Sequence, residues 1–299
     1  MPNSTREIRR RIRSVSSTKK VTKAMELVSS AKMRRAVQAV LSTRAYALRA
    51  WDMLVRLGAR TTPEAHPLLR AVSKGRVGIV VISTNRGLVG GFNSLLLNAL
   101  QNFLDRSGID RNEVDTITLG KRGRSLIVRL GMPNVADFDR SDIVTSADEV
   151  RPLAKLITDD FVSGTFGRII LAYTDFVSTI NQKPRVRQLL PLEQDTALGH
   201  VQGAREEQKS SPDRECLFEP SVDRVLETIL PRLIEMQLYQ AVLESTASEH
   251  AARMVAMRNA SDAASDLIDD LTLTFNQARQ AGITQDLSEI SASRAALEA

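Results

Sequence analysis

The sequence predicts an α/β protein: a long antiparallel coiled coil of the N- and C-terminal helices plus an α/β domain between them. Three observations carry this. From Ser4 to Leu57 there is neither proline nor glycine. After Pro220, apolar and small residues recur every seven positions. Between these stretches, short β-branched runs alternate with helical patterns, the order of a sheet with crossovers.

The first helix opens at Ser4, which forms a capping box with Glu7 three residues on. Ile8, Ile12, Val15, Met25 and Val28 fall at helical spacing, with Thr18 and Thr22 filling the gaps, and the stripe thins to Ala36, Ala39 and Val40. So narrow a stripe suits two-helix packing better than a globular core. Gly58 and Pro63 end the helix. Residues 1–60 are thus the first shaft helix and 61–75 a connector.

Residues 76–198 read as a Rossmann-like α/β domain. Val77–Ile82 is a fully apolar run, the look of a buried parallel strand. Asn93–Leu104 is a helix, Thr116–Leu119 a strand, Arg124–Leu130 a short helix and Asp148–Phe161 another. Ile169–Tyr173 is a further strand, and Val186–Leu190 the last, entered after Pro184. Residues 199–219, with charges, Gly203, Pro212 and Cys216, read as an exposed loop.

Residues 220–299 form the second shaft helix, with Pro231 expected to kink it. Met254, Ser261, Ile268 and Phe275 are spaced by seven, and Met257, Ala264, Leu271 and Ala278 sit between them. These are the alternating seam positions of a coiled coil over four heptads. At about 1.5 Å per residue the two helices would measure roughly 80 and 120 Å. A compact chain of this length has a radius of gyration of only about 19 Å, so the helices are expected to project as a shaft.

Charge is distributed unevenly. The net +6 contains fifteen Lys/Arg against three acids in residues 1–60, and seven acids against Arg279 and Arg294 in residues 261–299. Antiparallel pairing that brings Leu57 and Ser221 together puts Ile8 near Asp270. Arg9, Arg10, Arg11 and Arg13 then lie beside Asp262, Asp266, Asp269 and Asp270. Past Asp270 the second helix continues alone, with Phe275, Ile283, Leu287, Ile290 and Leu297 on one stripe, which invites a partner.

Composition and motifs exclude several functions. At 42% hydrophobic and 25% charged the chain reads as soluble and globular. A lone Cys216 rules out an intramolecular disulfide and a CxxC metal framework. No apolar run approaches a membrane span, and the charged start lacks the apolar core of a secretory signal. Aromatics at 4% argue against base-stacking platforms.

The loop Ser83-Thr84-Asn85-Arg86-Gly87-Leu88-Val89-Gly90-Gly91-Phe92-Asn93 lies between a strand and a helix but matches no phosphate-binding fingerprint. Its glycines read as tight turning and close packing, with an anion at Arg86 as the alternative. His66, His200 and His250 are scattered, and His250 reads as a shaft residue. No catalytic constellation, metal site or cofactor site emerges.

Several blocks carry a resemblance. Arg6-Glu7-Ile8-Arg9-Arg10-Arg11-Ile12-Arg13-Ser14-Val15, Thr18-Lys19-Lys20-Val21-Thr22-Lys23-Ala24-Met25 and Ala31-Lys32-Met33-Arg34-Arg35-Ala36 closely resemble the start of the F-type ATP synthase gamma subunit family. The likeness recurs in the glycine loop, in Glu219-Pro220-Ser221, in Ser248-Glu249-His250-Ala251-Ala252-Arg253-Met254-Val255-Ala256-Met257, and in Ala278-Arg279-Gln280-Ala281-Gly282-Ile283-Thr284-Gln285. It covers essentially the whole chain.

The resemblance implies a central rotor stalk, one copy per complex, threaded through a ring of alternating alpha and beta subunits. Its α/β domain would sit on the c-subunit ring beside epsilon, at the cytoplasmic face of a bacterial plasma membrane. It further implies that Arg279 and Gln280 contact a catching loop of beta and that Lys23 and Met25 pass an acidic lever loop. Ile283, Leu287 and Ile290 would turn in an apolar sleeve. Catalysis would belong to beta, with no cofactor on this chain.

Departures from the family pattern are Val89 where cysteine is usual, Ala263-Ala264 for Asn-Ala, and a tail with Asp286, Ser293 and Arg294. Gly282 reads as a helix end, but the family helix runs through. The alternative reading is a basic coiled-coil arm that grips nucleic acid. It explains the basic first sixty residues, but not the acidic far end, the missing aromatics or the apolar tail.

Overall fold

Two long helices, of 54 and 77 residues, flank the rest of the fold: α1, Thr5–Gly58, and α5, Val222–Glu298. The computed structural model describes residues 5–58, 66–70, 75–142, 144, 146–192 and 221–298. The Ser4 cap, Pro63, most of the connector, residues 199–219 with Cys216, His200, and the side chain of Leu297 lie outside the described residues. Between the long helices come β1 (Arg76–Ile82), α2 (Phe92–Ser107), β2 (Val114–Leu119), α3 (Lys121–Arg129), β3 (Asn134–Phe138), α4 (Arg151–Val162), β4 (Phe166–Phe176) and β5 (Gln182–Leu190).

The strands form one sheet in the order β3-β2-β1-β4-β5. The first four run parallel, the 3-2-1-4 order of a doubly wound fold, and β5 is antiparallel to β4 at the edge. β1 is apolar without alternation because both its faces are covered. Val80 and Ile82 join one core with α4 and α5, while Ile79 and Val81 join another with Leu96, Leu100, Leu104 and Ile127 of α2 and α3.

β5 includes Pro184, opposite Thr174, instead of starting after it. An edge strand tolerates the missing donor. β3 was not expected. Asn134, Ala136 and Asp137 are weak strand formers, and its residues are only half-buried or exposed.

The chain divides into two compact units, residues 30–253 and residues 1–29 with 254–299. In the first unit, α5 from Leu233 to Ala251 is buried almost all round. It is held on one side by α1, where Thr43 Oγ1 donates to Gln240 Oε1 at 2.9 Å. On another, Ser248 Oγ donates to the Thr174 carbonyl of β4 at 3.3 Å. The helix continues through Pro231, which leaves the Glu227 carbonyl without its helical donor.

In the second unit, α1 and α5 pack antiparallel along a seam of small and apolar residues. Ile8, Thr22 and Ser29 are buried on α1, and Met257, Ser261 and Ala264 on α5. Val28 and Thr18 point away, with Val28 56% exposed. The seven-residue repeat 8, 15, 22, 29 carries this seam, so Ser29 takes the inward place expected of its apolar neighbour.

The register also differs from expectation. Ser261 Oγ meets the Lys19 carbonyl at 3.4 Å, and the Arg9 guanidinium lies 5.1 Å from the centre of the Phe275 ring. The α5 partners thus sit further along than the pairing of Ile8 with Asp270 requires. Among the described residues, Arg9, Arg10, Arg11 and Arg13 form no ion pair with Asp262, Asp266, Asp269 or Asp270. Arg11 pairs instead with Glu7 of its own helix, at 2.9 Å. All four aspartates are exposed. Close approach at Ser261 and stacking at Phe275 decide the register, because solvated pairs contribute only about 0–1 kcal/mol each.

Candidate functional site

Every residue singled out for partner binding falls in the unit built from residues 1–29 and 254–299. Lys23 is exposed and pairs with Glu26 at 2.9 Å, one turn along α1, while Met25 is half-buried. The seam residues Met254, Ile268, Leu271 and Phe275 are half-buried and Met257 is buried. Extending the register from Arg9 and Phe275, Thr5 lies opposite Arg279. From Arg279 to Arg294 every side chain of α5 is exposed. Arg279 and Gln280 therefore stand where α1 gives out.

Beyond them Ile283, Leu287 and Ile290 are 52%, 60% and 66% exposed. Their spacing of four and three puts them on one helix face. α5 passes through Gly282, where an added Cβ would meet nothing within 4 Å. This end of α5 is a single helix roughly 30 Å long with an uncovered apolar stripe. Leu273, 60% exposed, and Leu267, 47% exposed, are further bare apolar side chains of α5, off that face. Sequence reading missed both, since neither lies on the heptad seam.

The glycine loop is closed on itself. Asn93 Nδ2 donates to Thr84 Oγ1 at 2.8 Å, and the Arg122 amide donates to the Thr84 carbonyl at 3.0 Å. The Lys121 amide donates to Asn85 Oδ1 at 3.3 Å. The first turn of α3 thus spends its free N–H groups inside the protein, and Arg86 itself faces a carboxylate, Asp142, at 3.4 Å. Gly120 makes that closure possible. Its φ is +106°, and a Cβ there would stand 2.4 Å from the Ser83 carbonyl oxygen. Among the described residues no cluster of three or more His, Cys, Asp or Glu could hold a metal ion. No described helix is long and apolar enough to cross a membrane.

Two buried polar clusters escaped the sequence reading, because their residues look like a solvated helix face. In one, Glu249 accepts from Arg253 Nη2 at 2.7 Å and from Arg140 Nη2, and Arg140 Nη1 donates to Thr246 Oγ1 at 3.2 Å. His250, expected to be a simple helix residue, is 3% exposed and belongs here. Arg253 can only donate, so its Nη1–H hydrogen-bonds to His250 Nδ1 at 3.2 Å. Nε2 must then carry the ring proton and donate to the Asp142 carbonyl at 2.9 Å. Burial above all lowers the His250 pKa, although the hydrogen bond to Asp142 opposes it, and the ring stays neutral.

The Asp142 carboxylate accepts from Lys32 of α1 at 2.9 Å and lies 3.4 Å from Arg86. The Lys32 hydrogen bond, more than any other influence, holds its pKa below the ordinary value. In the second cluster Glu244 is 3% exposed, accepts from Gln240 at 2.9 Å, and has its pKa pushed up to about 7 by burial.

Comparison with known proteins accords with this arrangement. The chain matches the ATP synthase family over residues 4–297. It is 43% identical over 302 residues to the ATP synthase gamma chain of Herpetosiphon aurantiacus, covering 98% of this chain and 99% of that one. It is 39% identical over 300 residues to the gamma chain of Chloroflexus aurantiacus, covering 99% of each.

Among solved structures, a chain of the Euglena gracilis mitochondrial ATP synthase rotor superposes with a TM-score of 0.63 at 20% identity, over 94% of this chain and 99% of that one. A chain of the Tetrahymena thermophila mitochondrial central stalk and c-ring gives 0.60 at 21%, over 81% of this chain and 99% of that one. Those two likenesses establish the fold. By family match and by identity along its whole length, the chain belongs to the ATP synthase gamma chain family.

Proposed function

We propose that this chain is the central rotor stalk of a rotary ATP synthase, one copy in each complex and itself non-catalytic. It would couple ion-driven rotation of the c-subunit ring to conformational cycling of beta, and so to ATP synthesis or hydrolysis. The observation that carries the reading is the C-terminal part of α5, an exposed single helix with Ile283, Leu287 and Ile290 on one face beyond the start of α1. Such a face is unfavourable in water and fits a bearing inside a ring of partners.

Within this reading, Arg279 and Gln280 are polar contacts to beta, and Lys23 and Met25 meet an acidic loop of beta. Residues 76–198 engage epsilon and the c ring, while 1–60 and 220–299 form the shaft. The complex would sit peripherally at the cytoplasmic face of a bacterial plasma membrane. The energetic role is that of a ligand with different contacts to each beta conformation, which is what a population shift requires.

Reconstitution tests the proposal. Mixed with alpha and beta subunits, the chain should assemble with them and raise ATP hydrolysis above that of alpha and beta alone. No assembly and no gain, together with salt-sensitive binding to RNA, would sink it in favour of the nucleic-acid arm.

A further inference from the structure

We propose that Arg140 and Asp142, on the loop that follows β3, are positioning residues that lock the α/β domain to both long helices so that torque passes between them without slip; this rests on the rotor reading above.

This short segment ties together three other elements of one compact unit: α1, α5 and the glycine loop. Arg140 donates to Thr246 and Glu249 of α5, and its carbonyl accepts from Asn85 of the glycine loop. The Asp142 carbonyl accepts from His250 of α5, and its carboxylate takes Lys32 of α1 and Arg86 of the glycine loop. The side chains of Arg140 and Glu249 are 3% and 5% exposed, so water does not screen their pairing.

A buried ion pair is a poor way to add stability, since an apolar pair of the same shape does as well. What it adds is direction: an apolar contact permits sliding, whereas a guanidinium shared between a hydroxyl and a carboxylate has one orientation. The position within α5 fits this role. Up to Leu243 the buried helix meets the sheet largely through apolar residues such as Leu233, Leu238 and Val242. From Glu244 to Arg253 its buried surface is mainly polar. Grip thus gives way to register where α5 meets the loop after β3.

Glu249 also supplies its own control. One carboxylate oxygen serves Arg140, from the α/β domain, and the other serves Arg253, from the same helix. Arg140→Met removes the ion pair between domain and helix, leaves Glu249 paired with Arg253, and keeps the hydrogen bonds from His250 to Asp142 and from Ser248 to Thr174. Arg253→Met removes the other guanidinium and leaves the link. Each variant would be assembled as full-length chain into the complete membrane-bound synthase. Three readouts follow: ATP hydrolysis, protons pumped per ATP, and the angular spread of a bead on the c ring while the catalytic subunits are stalled.

For Arg140→Met we expect hydrolysis near that of the wild type, pumping per ATP lower by about threefold or more, and an angular variance about doubled. Asp142→Asn should move the same way. Arg253→Met should leave pumping and variance unchanged. If Arg140→Met does not assemble, Arg140→Lys, whose single ammonium reaches Glu249 without the second bond to Thr246, should widen the spread by a smaller amount. Wild-type variance and pumping in Arg140→Met, or in Arg140→Lys where it stands in, overturns the proposal. So does an equal loss in Arg253→Met. Failure of the wild-type chain to join alpha and beta would instead overturn the rotor reading itself.

Discussion

Replacing Glu244 by glutamine should remove most of the loss of stability that the wild-type chain suffers between mildly acid and mildly alkaline pH. The carboxyl is buried on α5, with Gln240 beside it on the same helix, Thr43 of α1 behind that amide, Tyr173 and Asp175 on β4, and Arg185 and Arg187 on β5. Burial raises its pKa from 4.5 to about 7, so the folded state holds the proton that the unfolded chain has released. Stability is therefore full below 4.5 and is lost as pH rises toward 7.

At about 1.4 kcal/mol per pH unit, roughly 2 kcal/mol disappears between about pH 5.5 and pH 8. A glutamine does not ionise and escapes that loss. It does bring amide donors to the place of Oε2, which lacks a partner, at a cost of about 1 kcal/mol. The variant should match the wild type near pH 5.5 and exceed it by about 2 kcal/mol near pH 8. His250 contributes the opposite slope, because its lowered pKa sacrifices stability as pH falls below 6.5. That slope is common to both proteins and cancels in the difference. Urea unfolding of the full chain, followed by far-UV circular dichroism at the two pH values, measures the effect. A variant with the wild-type slope, or one weaker than the wild type near pH 8, refutes the assignment of a buried neutral carboxyl.

Four further substitutions have outcomes set by local geometry. Gly120→Ala combines a left-handed φ with a Cβ driven into the Ser83 carbonyl, and should cost about 3 kcal/mol or more in urea unfolding. Gly131→Ala, at φ +70° with nothing within 4 Å, should cost only about 1 kcal/mol. Gly282→Ala places a methyl in open space on a lone helix and should favour helix by about 1 kcal/mol, read as higher dichroism at elevated temperature. Ser261→Leu inserts bulk where the hydroxyl touches the α1 backbone, and should weaken the helix pair by about 1–3 kcal/mol.

The parts of the fold legible in the sequence were those with one dominant physical cause. β1 stood out because covering both its faces requires an unbroken apolar run, and the long helices stood out because proline and glycine are missing from α1. β3 did not, since a short half-exposed edge strand needs little hydrophobicity. The α1 seam was displaced by one residue because serine fills the inward place at position 29, where close packing favours a small side chain over Val28. Charge misled in the other direction. The opposed runs on α1 and α5 suggested a register, yet among the described residues Arg9, Arg10, Arg11 and Arg13 form no ion pair with Asp262, Asp266, Asp269 or Asp270. The polar stretch from Glu244 to Arg253 carries no apolar signal and yet is buried, because its partners come from the sheet and from the loop after β3, far away in sequence. The stripe of Ile283, Leu287 and Ile290 was easier to see, because three apolar residues at helical spacing stand out in the sequence, and all three are exposed.

A central rotor stalk must turn inside its complex, driven by ATP. The direct measurement uses the chain assembled with alpha and beta subunits, the ring fixed to a surface, and a bead attached to the α/β domain. On addition of ATP the bead should rotate stepwise in one direction and stop when ATP is withdrawn. A bead that only fluctuates about a fixed angle, while the assembled complex hydrolyses ATP at its full rate, would contradict the rotor reading.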